Sequence, residues 1–310
     1  ELLAMKRRGK RISMVTAYNY PSAVQVDLAN IDVVLVGDSV GMVELGYETT
    51  QPVTLEDMLH HAKAVKRGVE RSLIVVDLPF GSYEISPAQA LQSAYRCVKE
   101  GGADAVKLEG GRDRADTCRS IVKGGIAVMG HIGLTPQAIS VIGGFRAQGR
   151  TGVKARALLD DALALQDAGV FALVLECVPP QVAQVITESL EIPTIGIGAG
   201  PHTTGQVLVY HDMLGMLSHP HHEQFVPKFC KKYAEVGHAI RFGLDAFKSD
   251  VDQGLFPADE FTPYKMSDKE EIKFRELVAE DEGVRQSKLT RASKRLKDAD
   301  EYEATHIYGR

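Results

Sequence analysis

VVLVGDS (33–39) sets a short, β-branched apolar run directly against Gly37, Asp38 and Ser39. The pattern returns as LIVVDLPF (73–80), AVKLEGG (105–111) and LVLECVPP (173–180), each an apolar run closing on a carboxylate. Runs this short and this rich in valine, leucine and isoleucine are strands, and continuous apolar character is expected when helices cover both faces of the sheet. Working outward, the chain predicts strands over 12–17, 32–37, 73–77, 105–108, 126–130, 172–176, 193–197 and 207–210. Helical periodicity fills the intervals at 21–29, 55–67, 87–100, 113–123, 154–168, 180–189 and 228–252. Thr54 with Asp57 is an approximate capping box, and Ser86, Pro87 and Gly101 mark the two ends of another helix. About eight strand–helix alternations over residues 12 to 252 argue for parallel βαβ units. The count and span fit a (β/α)8 TIM barrel, with a doubly wound open sheet as the alternative. Residues 1–256 form the expected catalytic barrel. Residues 257–310, charged and poor in large apolar residues from Ser267 on, form an extension expected to be partly helical or disordered.

The net charge of −5 over 310 residues offers no basic patch for phosphate backbones, so neither nucleic acid nor an anionic membrane is an expected partner. No apolar run reaches the roughly 18 residues of a membrane span. Four widely spaced cysteines without a CxxC read as reduced thiols of an intracellular protein. No signal peptide is visible, and a targeting segment upstream of Glu1 remains compatible with the sequence.

In a parallel barrel every strand ends on the same face, where catalytic groups collect. Asp38, Asp77 and Glu109 close the second, third and fourth strands, and neighbouring strands lie roughly 5 Å apart. Carboxylates that close repel one another unless a cation sits among them, and a hard divalent ion with oxygen ligands is the natural occupant. Mg²⁺ is expected, although oxygen ligands separate it poorly from Mn²⁺ or Co²⁺. Lys107, two residues before Glu109 on the same strand, faces the same side and suits an anionic substrate. Ser39 stands ready to donate to the same ligand. Glu176, emerging from an apolar wall on the sixth strand, suits a general base. His131, after the fifth strand, falls between these groups and is expected to hold a substrate oxygen. GIGAG (196–200) resembles a phosphate-binding loop, or else a tight turn under close packing. HPHH (219–222) has metal-ligand residue types but no helical spacing to aim them, and reads as a solvated loop.

VGDS, DLPFGSYE, VKLEGG, GHIGLTPQ, GGFRAQG, LECVP, IPTIGIGAG and QVLVYHDMLG occur in this order, and over residues 8 to 256 the chain resembles the ketopantoate hydroxymethyltransferase family. The resemblance implies a barrel of the phosphoenolpyruvate mutase/isocitrate lyase type. It implies Mg²⁺, 3-methyl-2-oxobutanoate as acceptor, and 5,10-methylenetetrahydrofolate as one-carbon donor in pantothenate biosynthesis, through a metal-stabilised enolate. Carried over by motif, Asp38, Asp77 and Glu109 serve the metal, Ser39 and Lys107 the 2-oxo acid, and Glu176 is the base. The family also implies a homo-oligomer, decameric in bacterial members. Asn19 departs from the aspartate expected in much of the family. The long C-terminal extension resembles eukaryotic members, some of them mitochondrial; otherwise a cytoplasmic location is expected. Two alternatives stay beside this reading. One is a Mg²⁺-dependent 2-oxo acid lyase or mutase on the same barrel, and the other is a non-catalytic barrel that binds a 2-oxo acid.

Overall fold

The structure, a computed structural model, describes residues 1–217, 226–280 and 282–305. Its strands are β1 (Ile12–Thr16), β2 (Val33–Val36), β3 (Leu73–Asp77), β4 (Ala105–Glu109), β5 (Ala127–Gly133), β6 (Ala172–Glu176), β7 (Thr194–Ile197) and β8 (Gly205–Leu208). They pair in parallel in chain order, and β8 returns to β1 to close the barrel. The alternation of each strand separates two apolar layers. Val33, Leu35, Val75, Ala105, Met129, Val174, Ile195 and Val207 fill the barrel interior. Their strand neighbours Val34, Val36, Ile74, Val76, Val106, Val128 and Leu173 pack outward in the larger core.

The helices are α1 (Leu2–Arg7), α2 (Tyr20–Leu28), α3 (Val40–Val43), α4 (Leu55–Lys66), α5 (Pro87–Lys99), α6 (Ala115–Lys123), α7 (Ile139–Ile142), α8 (Gly152–Asp167), α9 (Pro180–Ser189), α10 (Tyr210–Met213), α11 (Val236–Asp252), α12 (Asp268–Glu280) and α13 (Glu282–Thr305). The chain divides into two compact units, Glu1–Arg241 and Phe242–Arg310. The first holds the barrel; the second holds most of α11 together with α12 and α13. Both expected caps form: Thr54 Oγ1 accepts from Asp57 N (3.1 Å) while Asp57 Oδ2 accepts from Thr54 N (2.9 Å), and Ser86 Oγ accepts from Gln89 N (3.2 Å).

Four details differ from the sequence reading. First, α1 was not expected, being short and basic; it buries Leu2 and Met5 among the interior residues and so joins the barrel's inner core. Lys6 fastens it by donating to the carbonyls of Thr187, Leu190 and Ile192, at the C-terminal end of α9. Second, β5 runs on to Gly133, which places His131 inside the strand rather than after it. Third, β8 lies two residues earlier than expected. Fourth, the helix expected from residue 228 starts only at Val236. Backbone amides of Tyr233, Val236 and Gly237 are committed to the carbonyls of Met213, Leu214 and Gly215, at and just past the end of α10, and a helix through 228–235 would have to break those bonds.

Asp27 on α2 anchors the turn that enters β3, accepting from Arg71 N (3.1 Å), Ser72 N (2.9 Å) and Ser72 Oγ (2.8 Å). Burial pushes its pKa up, but these bonds outweigh burial and leave it below the ordinary value. Because the folded value is the lower one, its contribution is complete above the unfolded pKa of about 3.9 and fades as pH falls through the folded value. Asp27→Ala is expected to cost about 2 to 3 kcal/mol in denaturant unfolding at neutral pH, and less in acid. A chain ending at residue 264 is expected to keep the barrel folded, with the far-ultraviolet circular dichroism and unfolding midpoint of the full chain; loss of the fold would move the proposed domain boundary away from residue 256.

Candidate active site

The alternation that fills the barrel interior continues upward into polar residues. Val75 leads to Asp77, Ala105 to Lys107 and Glu109, Met129 to His131, and Val174 to Glu176, all on the inner face. Strand register sets Asp77 beside Lys107 and Glu109 beside His131. Asp38 arrives from the turn after β2, where its backbone amide donates to Asp77 Oδ2 (3.1 Å). Ser39 precedes α3, with its Oγ 2.8 Å from the Tyr18 hydroxyl. All seven side chains singled out in the sequence line one cavity of about 490 Å³.

Lys107 Nζ lies 3.1 Å from Asp77 Oδ1 and 3.3 Å from His131 Nδ1, deep in the barrel. Burial lowers its pKa, but Asp77, Glu109 and Asp38 more than reverse this, so it stays an ammonium. Burial lifts Asp77 to about 7 against the opposing pull of Lys107, and the Asp38 charge adds to the lift. Glu109 is raised well above its ordinary value by burial and by Asp38. His131 is held low by burial and by Lys107, and is therefore neutral. Its neighbours assign the tautomer: Nδ1 accepts from Lys107, and Nε2 carries the hydrogen 3.2 Å from Glu176 Oε2. That last contact is close but too oblique for an aligned hydrogen bond.

A divalent cation suits these groups. Asp77 Oδ1 is buried without an aligned hydrogen bond, because Lys107 approaches it off-line, and the three carboxylates outnumber the one ammonium. Among the described residues no three histidine, cysteine or acidic side chains already close around a point. Mg²⁺ does not require this, since it takes one or two carboxylates and fills its remaining positions with water and substrate. The HPHH stretch lies outside the described residues. In the GIGAG loop, a Cβ at Gly198 (φ +61°) would meet the Phe229 ring at 2.6 Å and one at Gly200 (φ +78°) would meet Pro180 at 2.7 Å. Close packing therefore explains these two glycines.

Sequence reasoning missed the group that holds the carboxylates together. Gln137, buried in the turn after β5, donates from Nε2 to Asp38 Oδ2 (2.8 Å) and to the Leu78 carbonyl (3.0 Å). Its backbone amide donates to Glu109 Oε2 (3.0 Å), and its Oε1 accepts from the Tyr83 hydroxyl (2.5 Å). The signal was the GLTPQ motif, whose glutamine carried no assigned role. Asn19 also gains a reason. Its Oδ1 caps α2 by accepting from Ser22 N (2.9 Å) while its Nδ2 donates to Glu44 Oε1 (3.0 Å). An aspartate could cap the helix but could not donate to Glu44.

The family model for ketopantoate hydroxymethyltransferase matches residues 1–259. The chain is 57% identical over 265 residues to 3-methyl-2-oxobutanoate hydroxymethyltransferase 1, mitochondrial, of Arabidopsis thaliana, covering 85% of this chain and 76% of that one. It is 54% identical over 256 residues to the 3-methyl-2-oxobutanoate hydroxymethyltransferase of Heliobacterium modesticaldum, covering 83% and 91%. Among solved structures the fold matches phosphonopyruvate hydrolase with a TM-score of 0.54 at 13% identity, over 94% of this chain and 95% of that one. It also matches 2,3-dimethylmalate lyase, a PEP mutase/isocitrate lyase superfamily member, with a TM-score of 0.50 at 13% identity, over 89% and 99%. The likeness to these two proteins is one of fold: the same closed parallel barrel.

Gln137→Leu removes the donor to Asp38 while keeping apolar bulk. It is expected to weaken Mg²⁺ binding about 10- to 100-fold in calorimetry. Unchanged affinity would mean that Asp38 needs no such support.

Proposed function

The chain belongs to the ketopantoate hydroxymethyltransferase family, and on that footing we propose how its site carries out the reaction. The enzyme adds a hydroxymethyl group to 3-methyl-2-oxobutanoate to give 2-dehydropantoate (ketopantoate). We assign 5,10-methylenetetrahydrofolate as the donor. The reading is carried by one observation: the buried Lys107 ammonium lies between Asp77 and His131, and Glu176 lies on the far side of that histidine.

Lys107, kept protonated by its acidic neighbours, is a cation for the substrate carboxylate and not a base. Ser39, held by the Tyr18 hydroxyl, is placed to donate to the same acid. Asp38 and Asp77, with Glu109 directly or through water, would hold a divalent ion, Mg²⁺ by donor type, which when bound supplies Lewis acidity at the keto oxygen. Glu176 takes the C3 proton, leaving an enolate whose charge gathers on that oxygen. His131 Nε2 lies 3.2 Å from Glu176 Oε2, and this close contact limits the room in which the base can turn. One water parts the methylene carbon from its two folate nitrogens, giving them its two hydrogens and leaving its oxygen on the carbon; tetrahydrofolate is released, C3 bonds to that carbon, and the proton held by Glu176 passes to the new alkoxide. The interactions strengthen where charge develops, which is what accelerates the chemical step.

No helix among the described residues is long and apolar enough to cross a membrane. The Arabidopsis relative is named as mitochondrial, and we extend that address to this chain as the compartment to test. A homo-oligomer, decameric by resemblance, is part of the same proposal. It is supported by Phe242, Leu244 and Phe247, which α11 leaves exposed.

Glu176→Gln is expected to lower ketopantoate formation at least about 100-fold while 3-methyl-2-oxobutanoate still binds in the presence of Mg²⁺. Undiminished turnover would remove Glu176 from the chemistry. Light scattering on the intact chain checks the assembly, and a stable monomer would contradict the oligomer.

A further inference from the structure

Among the described residues lining the cavity, Asp212 is the one acidic side chain to which the proposed reaction gives no role. It sits on α10, just past β8, four strands around the barrel from Lys107 and Glu109 on β4. In an eight-strand barrel that is the opposite wall, about 15 Å away between strand axes. Among the described residues its carboxylate has no hydrogen bond or ion pair, although burial is enough to lift its pKa to about 6 against the pull of His211. The other cavity acids all have partners: Asp38 has Gln137, Asp77 has Lys107, and Glu109 and Glu176 both lie against His131. The lining on the Asp212 side is mostly apolar, with Leu208, Val209, Leu217, Pro227 and Phe229, and it includes Lys228 and Cys230. A half-buried carboxylate without a donor in a mostly apolar wall is an incomplete recognition pair.

The cavity, at about 490 Å³, exceeds what a five-carbon 2-oxo acid fills. The second reactant must enter the same cavity, because its one-carbon unit has to reach C3 beside Glu176. Folate has two ends of opposite character. Its glutamate end is anionic and is repelled by an acidic cavity. The far edge of its pterin ring carries the 2-amino group and N3–H, two adjacent donors that match the two oxygens of a carboxylate. The flat ring itself suits a mostly apolar wall that includes Phe229.

We propose that Asp212 receives the 2-amino and N3–H edge of the pterin ring, so that the folate lies across the mouth from the β8 side with its one-carbon unit pointing toward Glu176. This rests on the hydroxymethyltransferase reading and adds to it the orientation of the co-substrate and the residue that recognises it. Asp212 is a binding residue here, and a site built to pair with a polar edge rejects an analogue lacking that edge strongly.

The test compares 5,10-methylenetetrahydrofolate with its 2-desamino-2-methyl analogue on the intact enzyme. The wild-type enzyme is expected to prefer the parent by 100-fold or more in kcat/KM. In Asp212→Asn and Asp212→Leu the KM for the parent should rise 10- to 100-fold and the preference should shrink to a few-fold. Mg²⁺-dependent binding of 3-methyl-2-oxobutanoate reports whether each variant is folded. An Asp212→Asn enzyme that binds the acid and retains the full preference would overturn the assignment. A wild-type enzyme that forms no ketopantoate from either donor would instead overturn the reading on which it rests.

Discussion

The site is organised around one buried charge, the Lys107 ammonium, and the carboxylates that oppose it. An isolated ammonium would not persist at the heart of an apolar barrel, because losing its hydration costs more than the fold can supply. Asp77, 3.1 Å away, makes it tolerable. With Asp38 and Glu109 added, the balance tips the other way: three carboxylates against one ammonium leave two surplus negative charges if all are ionised. Burial first, and the neighbouring negative charge after it, push Asp77 and Glu109 upward, and a divalent cation is the species that cancels the surplus. Lys107, the 2-oxo acid and the ion form one charge-balanced unit, and Glu176 acts at its edge across His131.

That unit holds its shape through residues that never meet the substrate in this account. Gln137 ties Asp38 to Glu109 across two strands, and Tyr83 orients Gln137 in turn. The Tyr18 hydroxyl meets Ser39, while the Tyr18 carbonyl meets the His61 ring at 2.6 Å. Each of these bonds crosses between chain segments far apart in sequence, so only the closed barrel brings the partners together. A network of this kind is stable when its members are paired; among the described site residues Asp77 Oδ1 and His131 Nε2 are left without an aligned partner, the first where an ion belongs and the second facing the base.

Most of the fold was legible because barrel strands obey a strict local rule. An apolar run with a period of two puts Val75 inside, and the same period puts Asp77 above it on the same face; nothing nonlocal is needed to read that. Thr54 with Asp57 and Ser86 with Pro87 were legible for the same reason, since a helix cap is written within four residues. The start of α11 was not, because the amides of Tyr233 and Val236 bond to carbonyls at and just past the end of α10, a tertiary choice that overrides helical periodicity. His131 was placed beyond β5 because the glycines on either side of it mimic a turn, while β6 pairs with β5 as far as Gly133. Gln137 was quoted in its motif but given no role, since a lone glutamine does not announce its partners. The GIGAG loop shows the converse: glycines that suggested a ligand are accounted for by Phe229 and Pro180.

The central claim is that this site removes the C3 proton of a 2-oxo acid with the help of a divalent cation. The direct measurement is exchange of the C3 hydrogen of 3-methyl-2-oxobutanoate in D₂O, followed by NMR, with the wild-type enzyme and no folate. Loss of the C3 signal with Mg²⁺ present, and its retention when the enzyme is stripped of divalent ions, is the predicted result. Exchange that proceeds equally without any divalent ion would contradict the charge-balance account of Asp38, Asp77 and Glu109.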